Sequence, residues 1–167
     1  MPERKTLERL AEDRSSGKAP STQAGEFVRE EFEHIREGKH GARSPKQAIA
    51  IGLSKARRAG VDLPPPEKGT ASPETRRSAK RDLARGKKGK KGVSHRRSQA
   101  TLGALEREGR SAASHGAISR QAKSAAKRRS ASARSAAARR SARTKGATAR
   151  VAAANKAART RARKRKS

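Results

Sequence analysis

Cysteine is absent from this chain, and aromatic residues are limited to two phenylalanines, with no tyrosine or tryptophan. Without thiols, the chain can form neither disulfides nor thiolate metal sites. No apolar run approaches the roughly 20 residues that a membrane-spanning helix requires. The N-terminus reads MPERKTLERLAEDR, with acidic residues and no continuous apolar stretch. We therefore expect no signal peptide and a cytoplasmic protein.

Acidic residues are missing from the last 59 residues, which begin at Gly109 and contain 19 lysines and arginines. Of the net charge of +30, residues 1–63 carry +3 and residues 64–167 carry +27. Charge of one sign on this scale is typical of a region that binds polyanions. Low hydrophobicity with high net charge also predicts that the region lacks a packed core. We expect residues 93–167 to form a low-complexity basic tail, largely disordered and conditionally helical.

Two amphipathic segments nearer the N-terminus predict a helical hairpin. In residues 22–37, with Ser21 or Thr22 as the cap, five apolar side chains share one helical face: Ala24, Phe27, Val28, Phe32 and Ile35. In residues 45–59, a second apolar stripe includes Ile49, Leu53 and Ala56. Packing of these two stripes against each other supplies nearly all the core that the composition allows.

The second helix of the hairpin has clear start and stop signals. Ser44-Pro45-Lys46-Gln47 is a capping box with proline at the first helical position, and Gly60 fits the position that follows the last turn. Gly52 lies within the apolar stripe, where glycine costs about 1 kcal/mol relative to alanine. We therefore expect another helix to approach closely at Gly52.

One residue of the first helix does not fit the pattern. Glu31 falls inside the apolar face, which requires a cation from elsewhere in the fold. Glu31 and His34 also form an E-x-x-H spacing, which can serve metal sites in helical bundles. Because only one copy occurs, in a chain with four histidines and no cysteine, we favour a solvated helix face. We predict no metal, no cofactor and no catalytic residue.

The predicted fold is therefore mostly α, with a small N-terminal helical head at residues 1–63. The hairpin becomes a three-helix unit if residues 3–14 are also helical. Residues 64–92 form a linker rich in proline, glycine and lysine, with a weak helix over about 73–85, and the basic tail follows. A head of this size lies near the lower limit for independent folding. We therefore keep a homodimer, with Ile51 as a contact, as an alternative to the monomer.

The loop between the two hairpin helices reads GKHGARS and leads into a helix N-terminus. Its amides and the helix dipole can hold a phosphate, with Lys39, Arg43 and Lys46 within reach. The alternative is an ordinary basic helix connection. We favour the second interpretation because no Walker-type glycine–lysine spacing is present.

The basic tail carries the main indication of function. Its repetitive sequence offers no rigid side chains for reading bases, and it has no aromatic residues on which single-stranded bases could stack. We predict a non-enzymatic, nucleoid-associated, histone-like protein that binds duplex DNA through its phosphates. The predicted contacts are Lys39, Arg43, Lys46, Arg57, Arg58, Lys87, Lys88, Lys90, Lys91, Arg96, Arg97, Lys127, Arg128, Arg129, Arg139, Arg140, Arg143, Lys145, Arg159, Arg161, Arg163, Lys164, Arg165 and Lys166.

Two other functions fit the same charge distribution. In the first, the helical head docks a protein partner as an adaptor while the tail tethers the complex to nucleic acid. In the second, the chain is an RNA- or ribosome-associated factor, because structured RNA presents similar phosphates to a basic arm. Crosslinking to DNA and RNA in cells would separate these functions.

The hairpin block resembles a small bacterial protein family of unknown function. The resemblance covers residues 18–66, and its most specific part is GKHGARSPKQAIAIGLSKARRAG. It implies a hairpin followed by a basic tail, and DNA binding as the usual label, with no catalytic residues. The tail is similar in composition to bacterial linker-histone-like tails, although no proline follows Pro73.

Overall fold

All the regular secondary structure is helical in this computed structural model, which describes residues 2–89 and 94–166. The helices are α1 Arg4–Ser15, α2 Pro20–Glu37, α3 Pro45–Arg58, α4 Pro73–Lys87, α5 His95–Glu106, a 3-10 turn Ser111–Ala113, α6 His115–Lys127 and α7 Ala131–Lys166. The chain divides into two compact units, an N-terminal unit Met1–Gln121 and a C-terminal unit Ala122–Ser167. None of the described helices is both long enough and apolar enough to cross a membrane.

The predicted hairpin is confirmed as α2 and α3. Helix α2 begins at Pro20, two residues before the predicted start, and Gly38 ends it in the left-handed conformation with φ 81°. Ser44 Oγ accepts the N–H of Gln47 at 3.3 Å and so caps α3. At the other end, Gly60 has φ 84° and the Val61 amide donates to Ala56 O at 3.0 Å. This is the hydrogen-bond pattern of a Schellman motif, as the glycine after the last turn indicated.

Small residues allow the hairpin helices to pack closely. The predicted core residues Phe27, Phe32 and Ile35 are buried, and Val28, Ile49 and Leu53 pack beside them. The buried residues that complete the two core clusters are small or come from outside the hairpin stripes: Leu10, Ala24, Ala42, Ala48, Ala56, Val61, Ala112 and Ala113. The predicted dimer contact, Ile51, is itself partly buried within the single chain.

The N-terminal unit extends well past residue 63 because later segments pack on the hairpin. Helix α4 lies against the end of α3, where a Cβ atom at Gly86 would come within 2.0 Å of Arg57 O. Ser54 Oγ also donates to Asp82 Oδ2 at 2.7 Å. The 3-10 turn adds Ala112 and Ala113 to the core beside Phe32. The predicted head is therefore only the first half of this unit.

The expectation of a largely disordered tail is wrong, because helices α5, α6 and α7 cover most of residues 95–166. Alanine, arginine and lysine are strong helix formers, and no proline follows Pro73 to interrupt them. Serines also cap the start of two of these helices. Ser114 Oγ accepts the N–H of Ala117, and Ser130 Oγ accepts the N–H of Ala133. Helix propensity and capping together outweigh the repulsion between like charges, which is a few tenths of a kcal/mol per pair.

Candidate functional site

Two adjacent glutamates on the buried side of α2 meet one lysine from α3. The side chains of Glu30 and Glu31 are 2% and 1% exposed. Lys55 Nζ donates to Glu30 Oε1 at 3.0 Å and also contacts Glu31 Oε1. The cation that the position of Glu31 required is therefore present, and it is supplied by the other helix of the hairpin.

The start of α1 supplies further donors to this cluster. The backbone N–H of Glu3 donates to Glu30 Oε2 at 3.1 Å. Burial alone would raise the pKa of Glu30, but hydrogen bonds from the Thr6 side chain, the Glu3 amide and Lys55 outweigh it and leave that pKa lowered. Glu30 is thus held as an ionised carboxylate inside the fold, and it links α1, α2 and α3.

Two histidines lie beside Glu31. His34 follows it by three residues on α2, and His40 comes from the loop between α2 and α3. The two rings are nearly perpendicular, at 89°, with centroids 5.7 Å apart. His40 Nε2 lies 3.5 Å from Glu31 Oε2. One nitrogen of each imidazole and one oxygen of Glu31 lie within 4.8 Å of one another.

The carboxylate of Glu3 forms the outer edge of the same cluster. Its Oε1 atom lies 2.8 Å from both His34 Nε2 and Lys39 Nζ. These hydrogen bonds, with that of Lys39 the larger effect, lower the pKa of Glu3 to about 2. Lys39 Nζ also pairs with Glu37 Oε2 at 2.9 Å, and both acids raise the pKa of Lys39. Lys39, a predicted phosphate contact, is therefore already paired with two carboxylates.

The E-x-x-H spacing is visible in the sequence, but its predicted place on a solvated helix face is wrong. Glu31 is fully buried, and the His34 side chain is only 12% exposed. The sequence signal for burial was the position of Glu31 within the apolar stripe, because residues of that stripe face the core and not solvent. His40 carried no such signal, because its approach to Glu31 depends on how the loop folds back over α2.

The GKHGARS loop uses its backbone amides inside the protein. The N–H of Gly41 donates to Leu105 O at 2.9 Å, and that of Ala42 donates to Gly109 O at 3.1 Å. The N–H of Arg43 donates to Gln47 Oε1 at 2.8 Å. A phosphate would find these donors occupied, so the contacts favour the ordinary helix connection over the phosphate-binding loop.

The other predicted contacts in the N-terminal unit have different environments. Arg57 is buried and donates to Leu63 O and Pro64 O, and burial lowers its pKa. Arg58 Nε donates to Ser54 O and lies 3.9 Å from Asp82. Lys87 lies 3.8 Å from the carboxylate of Asp62. The remaining described members of this set are exposed: Arg43, Lys46, Lys88, Arg96 and Arg97.

The C-terminal unit has 17 lysines and arginines and no acidic residue. Every lysine and arginine side chain that the structure describes in it is exposed, including the predicted contacts Lys127, Arg128, Arg129, Arg139, Arg140, Arg143, Arg159, Arg161 and Arg163. Lys90 and Lys91 lie outside the described residues, as do the side chains of Lys145, Lys164, Arg165 and Lys166. The structure thus distinguishes an N-terminal unit in which many cations pair with carboxylates from a C-terminal unit whose described cations are exposed.

Residues 13–68 match a family of unknown function (DUF6496). The match spans α2, α3 and the loop that joins them, so the resemblance of this block to a family of unknown function is confirmed. No curated protein and no solved structure matches the chain.

Proposed function

We propose that this protein binds duplex DNA without sequence preference, as a non-enzymatic, nucleoid-associated protein. The observation that carries the proposal is the one-sided charge of the C-terminal unit, with 17 cations and no acid. Neutralising DNA phosphates releases condensed counterions, which provides a large, sequence-independent contribution to affinity. The compositional similarity of the tail to linker-histone-like tails supports the same role.

The helical form of the C-terminal unit suits this role. An α-helix fits the major groove of B-DNA, which is about 12 Å wide. In α7, Arg134, Arg139 and Arg143 fall at different angles around the helix, because their spacings are five and four residues. The side chains between them are mainly alanine and serine, which offer few contacts that discriminate among bases. Such a helix can contact phosphates in many orientations and so favours affinity over specificity.

The break within α7 suits binding along a curved or irregular phosphate backbone of DNA. Gly146 has φ 66° and ψ 170°, so the helix is interrupted there and continues in a second segment. Apart from its chain neighbours, no heavy atom of the described residues lies within 4 Å of the position that a Cβ atom would occupy. The two segments can therefore each follow their own stretch of phosphates.

The test measures affinity for several unrelated duplexes of one length over a series of salt concentrations. If about ten cations engage, the slope of log K against log salt should be near −9 for duplex DNA. Affinities should differ little among the sequences. A shallow slope, or strong discrimination between duplexes, would contradict the proposal, and preferential binding of structured RNA of equal length would assign the chain to RNA instead.

A further inference from the structure

We propose that Glu31, His34 and His40 bind a divalent transition-metal ion, for which Zn²⁺ is the best-matched example. Two imidazoles and one carboxylate form a donor set that zinc uses in proteins when one coordination position is left for water or another ligand. Around a tetrahedral zinc with bonds of about 2.1 Å, neighbouring ligand atoms lie about 3.4 Å apart. Glu31 Oε2 and His40 Nε2 are separated by 3.5 Å, so this pair of atoms has the separation that two ligands of a tetrahedral zinc require.

The hydrogen bonds of the two histidines leave one nitrogen of each ring available. His40 Nδ1 lies 3.0 Å from Gly41 O, and since a carbonyl oxygen only accepts, the proton is on Nδ1. Nε2 then faces Glu31 Oε2 across 3.5 Å, and a metal ion between the two atoms would be bound by both. His34 Nε2 makes its hydrogen bond with Glu3 Oε1, which leaves Nδ1 for the metal. A carboxylate or a carbonyl behind each imidazole is the usual outer-shell arrangement of metal-binding histidines.

Glu31 has one cation, Lys55, at Oε1, and its burial and bonding point to a second cation at Oε2. Its carboxylate is 1% exposed, yet among the described residues neither of its oxygens forms a hydrogen bond of good geometry. Lys55 approaches only Oε1, so Oε2 stays available as a monodentate ligand. A buried carboxylate oxygen without a hydrogen bond is costly, and a metal ion at this position would remove that cost.

The charge of the whole cluster supports the same conclusion. Its carboxylates are Glu3, Glu30, Glu31 and Glu37, and its ammonium groups are those of Lys39 and Lys55. The four carboxylates and two ammonium groups leave a net charge of −2 when the imidazoles are not counted. One divalent ion would neutralise this local excess of negative charge, although the chain as a whole carries +30.

An acidic surface pocket adjoins the proposed site at His40. His40 lies on the wall of an open pocket of about 430 Å³, together with Glu37, Gly41, Glu106, Glu108 and Arg110. Three carboxylates at this opening attract a small cation that the rest of the surface repels. His40 lines this pocket, and its Nε2 atom lies 3.5 Å from Glu31 Oε2.

The experiment uses the full chain without an affinity tag, titrated with Co²⁺ and followed by visible absorption, with Zn²⁺ added afterwards as competitor. We expect one Co²⁺ per chain, a tetrahedral absorption spectrum and displacement by Zn²⁺. Loss of an outer-shell partner alone reduces metal affinity by about 10- to 100-fold, so His40→Asn and His34→Asn should each weaken binding at least about tenfold. The matched control is the double variant His95→Asn/His115→Asn, which removes the other two histidines, both exposed, and should bind as the wild type does.

Wild-type protein alone gives a second measurement that does not depend on the folding of a variant. On addition of Zn²⁺, the NMR signals of the imidazole protons of His34 and His40 should shift, while those of His95 and His115 stay in place. The proposal is overturned if the wild type retains no metal, if all four histidines respond equally, or if the control variant loses as much affinity as the ligand variants.

Discussion

Gly52 of α3 lies against the backbone of Val28 of α2, so closely that a Cβ atom at position 52 would come within 2.7 Å of Val28 Cα. The same Cβ would lie 3.0 Å from Phe27 O. These contacts are with backbone atoms, which cannot move aside as a flexible side chain can. The absence of a side chain at Gly52 therefore sets the distance between the two hairpin helices, and with it the position of Lys55 beside Glu31.

Gly52→Ala should destabilise the protein, although alanine is the better helix former. Overpacking typically costs about 1–3 kcal/mol, and the gain in helix propensity is at most about 1 kcal/mol. The matched control is Gly25→Ala on α2, where no heavy atom lies within 4 Å of the added Cβ, and it should be neutral or stabilising. Urea unfolding of both variants measures the difference. Equal free energies of unfolding would mean that the helices are not this close at Gly52.

The hairpin was predictable because its signals are local. Ser44 before Pro45 marks the start of α3, Gly60 marks its end, and each acts within one helical turn. The close approach at Gly52 was also predictable, since a glycine inside an apolar stripe is typical of a position where another backbone comes near. The start of α2 was less well predicted, because Pro20 at the first turn begins the helix without a side-chain cap.

The rest of the N-terminal unit depends on contacts between distant parts of the chain. Ala112 and Ala113 are buried beside Phe32, yet no periodic pattern marks them as core residues. The same holds for His40, whose place beside Glu31 requires the loop to fold back over α2. In the C-terminal unit, net charge predicted disorder, but the helix propensity of alanine and arginine outweighs that charge where α7 forms.

Removing the amino group of Lys55 should be strongly destabilising. Lys55→Met leaves the carboxylates of Glu30 and Glu31 buried without their lysine partner, and breaking a buried ion pair costs about 3–5 kcal/mol. The control on the same helix is Lys46→Met, an exposed position with no acidic partner among the described ion pairs, where a change within about 0.5 kcal/mol is expected. Both are compared with wild type by urea unfolding in the presence of a metal chelator, so that bound metal does not contribute. A small effect at Lys55 would show that Glu30 and Glu31 are not charged inside the fold.

Gly41→Ala should separate the α2–α3 loop from the segment that follows α5. The added Cβ would lie 1.8 Å from Glu108 O, so the backbone of one segment must move and the hydrogen bond from Gly41 N to Leu105 O must lengthen or break. Gly109→Ala is the control from the facing segment, since no heavy atom lies within 4 Å of its added Cβ. Amide hydrogen exchange at Gly41 and Ala42 should accelerate in the first variant and stay unchanged in the second. Unaltered protection in Gly41→Ala would contradict the packing of residues 105–113 on the hairpin.

The origin of the proposed DNA affinity can be located by neutralising three cations in each unit. In the C-terminal unit, Arg134→Gln/Arg139→Gln/Arg143→Gln removes exposed charges that have no acidic residue in the same unit to pair with. Glutamine keeps a helix propensity close to that of arginine, so α7 should persist. With each phosphate contact contributing about −0.9 to the salt slope on duplex DNA, the triple variant should reduce the slope by about 2.7 and weaken binding equally for all sequences.

The matched control removes the same charge from the N-terminal unit through Arg4→Gln/Lys18→Gln/Arg29→Gln. These three cations pair with Glu8, Asp13 and Glu26 respectively, so their charges are already balanced locally. Their loss lowers the net charge of the chain by the same amount but should leave the salt slope nearly unchanged. Equal reductions of the salt slope in the two variants would show that total charge sets the affinity. A larger reduction in the control would show that the DNA-binding surface lies in the N-terminal unit.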